Sequence, residues 1–416
     1  MAQAYVRDRL TWVAYVMLAW FAYLQAAPGL VVPHLRDELD LSYTAGGLHV
    51  AAFAVGSILA GLTSSRLERR IGRRLVLWSS SAVLAVGTVG LTAGDRVEAT
   101  VAALLVMGLG GGMLLATIQA TLADHHGVRR TVALAEANVA AGVSYLVLIG
   151  VFAATAALGA GWRTALLVSL LVPAVIWVLN RGLPVVEGPP SHLQGSSLPG
   201  VFWVAAVVLM CGAAAEWCVT AWGATFVEEA AEVSTDTAVS LMAGYFGGFL
   251  VGRTVGSRLA HRHEPTRLLG VALAIALVGF AVLWPSTTIA QALVGLSLLG
   301  VGIGNLFPMA LSMTVALAPD RAALASGRAV SVTSLAVLLA PLTVGSLADA
   351  TSLKAALLIV PLMLVLAGAG LLLVSRGRPP GTGGRATAES SLDRPRSRVR
   401  TFRPARSPRR GSAAGR

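Results

Sequence analysis

Apolar runs long enough to cross a bilayer recur from residue 11 to residue 374, separated by short charged stretches. A run of about 20 apolar residues crosses the hydrocarbon core as a helix, because its backbone N–H and C=O groups then satisfy one another. The runs fall at 11–33, 43–65, 75–94, 99–123, 131–158 and 162–183, and again at 200–226, 237–260, 267–285, 288–315, 324–348 and 353–374. Charged residues are only 12% of the 416 and hydrophobic ones 56%, whereas a water-facing domain carries about a quarter charged. Lipid is therefore the solvent for most of the chain. The expectation is an all-α membrane protein of 12 transmembrane helices.

The net charge of +12 does not point to nucleic acid, because the charges sort by membrane side. With the N-terminus inside, the inward loops hold Arg66, Arg69, Arg70, Arg73, Arg74, Arg129, Arg130, Arg258, Arg262 and Arg267. The outward loops hold Asp37, Glu38, Asp40, Asp95, Glu98, Glu228, Glu229, Glu232 and Asp236, against few cations such as Arg36 and Arg96. The excess of basic residues on cytoplasmic loops places both termini in the cytoplasm, in a multi-pass protein of the cell membrane. The first apolar run is too long for the core of a cleavable signal and is expected to be retained. Cys211 and Cys218 are seven residues apart in one apolar run, about 10 Å along a helix and beyond disulfide reach.

An internal repeat at an offset of 192 residues organises the chain. Ser65-Arg66-Leu67 matches Ser257-Arg258-Leu259, Ser42 matches Ser234, Gly108, Gly110 and Gly112 match Gly300, Gly302 and Gly304, and Ala133 matches Ala325. The expected domains are a six-helix bundle over 1–183, a cytoplasmic linker over 184–199, a second six-helix bundle over 200–375 and a basic, disordered tail over 376–416. The tail carries Arg394, Arg396, Arg398 and Arg400, which a solvated tail tolerates and anionic headgroups would attract. Two six-span bundles of like orientation are related by an axis along the membrane normal. A site between them opens to either face when one bundle rocks against the other.

The stretch Ser65-Arg66-Leu67-Glu68-Arg69-Arg70-Ile71-Gly72-Arg73-Arg74 resembles the inside-loop signature of the major facilitator superfamily, over its basic half. It departs at Ser65, where Gly is usual, and at Arg69, where Asp is usual. Glu68 stands beside that place. Gly161-Trp162-Arg163 and Leu347-Ala348-Asp349 also resemble the family. Leu104 occupies the place of an Arg found in drug/proton antiporters, and residues 141–150 lack the antiporters' Gly-Pro signature. Glu216 with Trp217 and Trp222, and Glu136 with Asn138, resemble sugar-permease-like branches. The resemblance implies two pseudo-symmetric bundles and a secondary transporter working by alternating access. It also implies gating roles for Arg66, Arg70, Gly72, Arg73 and Arg74.

Glu216 lies near the middle of the seventh span. A carboxylate at that depth faces a water-filled cavity or carries a proton, so Glu216 is the candidate for proton coupling or substrate contact, the alternative being a protonated structural group. Polar groups placed to line the same cavity are Tyr23, Gln25, Gln119, Asn138 and Asn305, with Trp217 as a stacking surface; each can instead bond to a neighbouring helix. Trp222, near the outer end, reads as an interface anchor. Glu136 and Arg328 occupy equivalent repeat positions and are expected to pair when the cytoplasmic side closes. The bland reading is that each caps or snorkels at its own helix end. Pro28-Gly29 and Pro308 should bend their helices. The glycine runs follow no strand and read as helix packing, not as a dinucleotide loop. No metal-ligand spacing or cofactor motif is present, and His125, His126, His261 and His263 read as solvated loop residues.

No base is read at mid-membrane, since Arg328 lies close to a helix end. The expected cargo is therefore a neutral or cationic small molecule, moved with protons by a monomer. The alternatives are a drug or metabolite efflux antiporter and, in another class, a membrane-embedded enzyme or lipid-handling protein. An enzyme would need a catalytic cluster at one depth, and the sequence presents none.

Overall fold

The computed structural model describes residues 5–185, 198–260, 262–318 and 321–376. The interior of the expected linker, His261 and the Arg-rich tail lie outside the described residues.

Among these residues all regular structure is helical. In the first half of the chain lie α1 (Arg9–Leu39), α2 (Tyr43–Ile71), α3 (Arg73–Ala93), α4 (Val97–His126), α5 (Arg130–Ala157), α6 (Gly161–Ser169) and α7 (Leu171–Asn180). In the second lie α8 (Gly200–Ala231), α9 (Thr235–Leu259), α10 (Pro265–Leu283), α11 (Ile289–Ala316), α12 (Ala322–Ala350), α13 (Leu353–Ala356) and α14 (Ile359–Arg376). Eleven segments of the described chain are long and apolar enough to cross a membrane. The longest, Val97–Ala157 with 61 residues, is α4 and α5 on either side of a single 3-10 turn, which the count of 12 takes as two spans. Each of the segments Gly161–Asn180 and Leu353–Arg376 is a pair of short helices in line. α1 and α11 run unbroken across Pro28 and Pro308.

Side-chain caps set where several helices begin. The Asp8 carboxylate accepts from the Thr11 N–H at the start of α1, and the Ser42 and Ser234 hydroxyls do the same for Ala45 and Thr237 at α2 and α9. Such caps satisfy N–H groups that the helix leaves orphaned. Asp40 and Glu232, with φ of 52° and 51°, close α1 and α8 in the left-handed conformation. Like Ser42 and Ser234, they stand 192 residues apart.

The same offset governs packing. A Cβ on Gly56 would strike the Leu105 carbonyl, and one on Gly248 the Ser297 carbonyl. A Cβ on Gly108 would strike Phe53, and one on Gly300 would strike Tyr245. Likewise Gly110 lies against Leu84 and Gly302 against Ala276. Each pair of contacts is one contact moved along by 192 residues. The glycines of α4 and α11 let the backbones of their neighbours approach closely, the way small residues drive helix packing in lipid.

The hydrogen bonds and ion pairs that join the two halves gather at one end, where α1 finishes and α2 begins; this is called the distal end below. There the Asp349 carboxylate accepts from the backbone N–H groups of Tyr43 and Thr44 at 2.8 and 2.7 Å, and Gly345 of α12 packs on the Tyr43 carbonyl. Arg36 lies 3.6 Å from Glu229 and stacks over Tyr43, while Thr235 donates to Asp37 at 3.0 Å. Half-way along, α5 meets α9 through Tyr145 and Phe246, 5.1 Å apart, and Gly29 of α1 abuts the Thr220 carbonyl of α8. Towards the other, proximal end α5 presents exposed Val132, Asn138 and Val139, and α12 presents exposed Arg328 and Val330.

Candidate functional site

The midpoint of the 32-residue α8 is clad almost entirely in buried small residues, Ala213, Ala214, Ala215 and Cys218 among them. Glu216 and Trp217 interrupt that cladding and are half-exposed. The Glu216 carboxylate makes no hydrogen bond and no ion pair within 4 Å among the described residues; its backbone carbonyl accepts from the Tyr245 hydroxyl at 3.4 Å.

The charge nearest in effect is Arg253, whose field acts on Glu216 and also on Tyr145 of the other half. Arg253 sits inside α9, six residues before its end at Leu259, or about 9 Å of helix rise. Its Nε donates to the Gly304 carbonyl at 3.2 Å, and its plane lies over the Phe249 ring at 4.4 Å. The rest of the guanidinium has no partner among the described residues. A base thus stands within a spanning segment, as far from the end of α9 as Arg328 is from the start of α12, and the expectation of a neutral or cationic cargo did not count it. A lone Arg between Gly252 and Thr254 in an otherwise apolar run was the available signal.

The other expected lining residues divide. Gln25 is half-exposed within the otherwise buried stretch 20–33 of α1, and Gln119 on α4 and Asn138 on α5 are exposed. Asn138 spends its amide on the Leu134 carbonyl of its own helix at 2.7 Å. Tyr23 is buried and donates to the Ala165 carbonyl of α6 at 2.7 Å, and Asn305 is buried against Gly256. Tyr23 and Asn305 are thus bonds between or along helices. Trp222, expected at the membrane interface, is fully buried and donates to the Pro341 carbonyl of α12 at 2.9 Å. Its ring joins α8, α12 and Tyr43 instead of meeting headgroups.

The structure does not bring Glu136 and Arg328 together. Glu136 is held in its own half by Arg7, through Nε at 2.8 Å and a second nitrogen at 2.6 Å, and by the Tyr15 hydroxyl at 3.0 Å. Arg328 is exposed. In the inside-loop motif, Gly72 takes a φ of 82° at the turn from α2 to α3, a conformation that favours glycine. Buried Arg73 bridges Glu68 at 3.3 Å and Asp124 at 2.7 Å, and Glu68 also accepts from Thr117 at 3.0 Å. Arg74 donates to the Arg181 carbonyl, while Arg66 and Arg70 are exposed. The motif therefore ties α2, α3 and α4 through Glu68, the residue beside the missing Asp. His125 and His126 are likewise not free in solvent: they meet Asp8 at 2.7 Å and the Thr11 hydroxyl at 2.9 Å. Among the described residues no group of three His, Cys, Asp or Glu side chains gathers as metal ligands.

The sequence profile of the Major Facilitator Superfamily matches residues 11–240 and 205–411. The chain belongs to that superfamily. This superfamily chain is a multi-pass membrane transporter, and membership sets the enzyme reading aside. No curated protein matches it in sequence. Among solved structures it is similar to a bacterial homologue of the human lysosomal transporter Spinster in an inward-facing, occupied conformation, with a TM-score of 0.73 and 16% identity over 91% of this chain and 100% of that one. It is also similar to the nucleoside transporter NupG, with a TM-score of 0.70 and 10% identity over 88% and 99%. A third, a D-xylose–proton symporter, gives 0.69 and 17% over 88% and 95%. At these identities the likeness is one of fold, and it extends along nearly the whole superfamily architecture.

Proposed function

We propose that this transporter moves a small organic solute across the cytoplasmic membrane by alternating access, coupled to protons through Glu216. One observation carries the reading: a carboxyl without a hydrogen-bond partner, half-way along α8, at the level where the two halves face each other. An ionised carboxylate costs about 3 kcal/mol at the centre of a spanning helix, so Glu216 exchanges a proton with a water-filled chamber. Basic loops put the proximal end in the cytoplasm. With the halves joined at the distal end, the arrangement is then inward-facing, as in the structure of the Spinster homologue. The domains are two bundles over 1–183 and 200–375 and the linker is cytoplasmic, and the monomer carries the complete path.

Proteoliposomes containing a pH-sensitive dye test this against a panel of sugars, amino acids, organic acids and drugs. A solute that moves protons in the wild type is expected to move none with Glu216→Gln. Proton movement unchanged by that substitution sinks the coupling role.

A further inference from the structure

We infer that Arg253 is the anchor for an anionic group on the cargo, so that the transported solute is an organic acid whose carboxylate, or a similar planar oxyanion, docks on the guanidinium. The inference rests on the transport reading above and names its substrate class.

A guanidinium within a spanning segment is costly and is retained where it lines a cavity or has a counter-ion. Arg253 has no carboxylate within 4 Å among the described residues. Glu216, the acid whose field it shares, is held apart from it and is itself without a hydrogen bond. The two charges have not neutralised each other, although they lie on adjacent helices of the same half. What fixes Arg253 is one bond from Nε to the Gly304 carbonyl and the Phe249 ring beneath its plane. Those contacts orient the fork and leave its remaining N–H donors free, the pre-organised geometry that recognises a carboxylate through two parallel bonds. Gly304 cannot easily vary: a Cβ there would strike the backbone of Phe249, the residue whose ring lies beneath Arg253.

The surroundings fit an organic acid. Tyr145 of α5 packs on Phe246 at 5.1 Å and faces Phe249 edge-on at 6.4 Å, so aromatic surface from both halves flanks the guanidinium. A ligand seated on Arg253 therefore touches both bundles, which a cargo must do if its binding is to govern their rocking. Charge balance follows. An anion on Arg253 and a proton on Glu216 leave the loaded chamber with no net charge, the form least costly to move through a closed intermediate.

Benzoate, benzamide and benzamidine share one planar frame and differ in charge: anionic, neutral and cationic. Binding of each to the detergent-solubilised full chain is to be measured by calorimetry at neutral pH. Benzoate is expected to bind about tenfold or more tightly than the other two. With Arg253→Gln that preference should vanish and benzoate should weaken by about tenfold, while Arg253→Lys recovers part of it. Benzamidine binding best, equal binding of all three, binding of none, or benzoate bound unchanged by Arg253→Gln overturns the inference. Elution of each variant as a monodisperse peak separates lost contact from lost fold. Failure of the transport reading looks different: the acid preference persists, yet no solute in the panel moves protons or crosses the proteoliposome membrane.

Discussion

Single side chains at the proximal end decide how the N-terminal segment is held. Asp8 caps α1 through the Thr11 N–H at 2.9 Å and the Thr11 hydroxyl at 2.6 Å, and meets His125 of α4 at 2.7 Å. Burial works against the ionised carboxyl, but these hydrogen bonds together hold Asp8 below the ordinary aspartate range. A depressed carboxyl stabilises the fold above its unfolded value and loses that contribution as pH falls through the folded value. Asp8→Ala is therefore expected to lower thermal stability at neutral pH, by about 1 kcal/mol, as a lost N-cap does. The difference from wild type should shrink at pH below about 3.8. A melting curve in detergent across pH reads both effects. Neighbouring Arg7, on Glu136, is pushed further above its already high value, chiefly by the hydrogen bond to that carboxylate. Glu136 was visible in the sequence as a charge near a helix end. Arg7, 129 residues away in the chain, was not readable as its partner.

At the scale of elements, the glycines of α2 and α9 fix how close α4 and α11 come. Gly56 on Leu105 and Gly248 on Ser297 are one contact made twice. Neither site has room for a branched side chain. Gly56→Val and Gly248→Val are each expected to destabilise the protein by about 1–3 kcal/mol, the usual cost of overpacking. The two losses should be similar because the contacts are similar, and thermal unfolding of the two variants side by side checks this. A control at Gly61, where a Cβ meets nothing within 4 Å, should change little. The offset of 192 was legible because duplication preserves spacing, and small residues at equal spacing are a pattern in one dimension. The carbonyls that the glycines meet were not legible, since they belong to other helices.

For the whole molecule, the halves are clasped at the distal end by Asp349 on the first turn of α2 and by Arg36, Tyr43 and Glu229. Under the proposed alternating access, rocking releases that clasp and forms another at the proximal end. Glu136 and Arg328, related by the repeat, are the pair we propose to join there once Glu136 leaves Arg7. Glu136→Arg and Arg328→Glu singly are expected to lower transport several-fold, and the double reversal to restore a substantial part. Uptake into proteoliposomes reads the outcome, and two additive losses would count against the exchange.

Length of apolar runs, sorting of charge and the repeat are properties of the chain in order, and they settled helical class and membrane residence without coordinates, while the superfamily came from motif resemblance and the sequence profile. Lipid as solvent makes this possible, because each spanning backbone must satisfy itself locally. Which polar residues face the chamber depends on helix rotation and on neighbours far along the chain. Only tertiary packing turned Tyr23, Trp222 and Asn305 into structural bonds, gave Glu136 to Arg7, and left Arg253 and Glu216 without a counter-ion within 4 Å among the described residues.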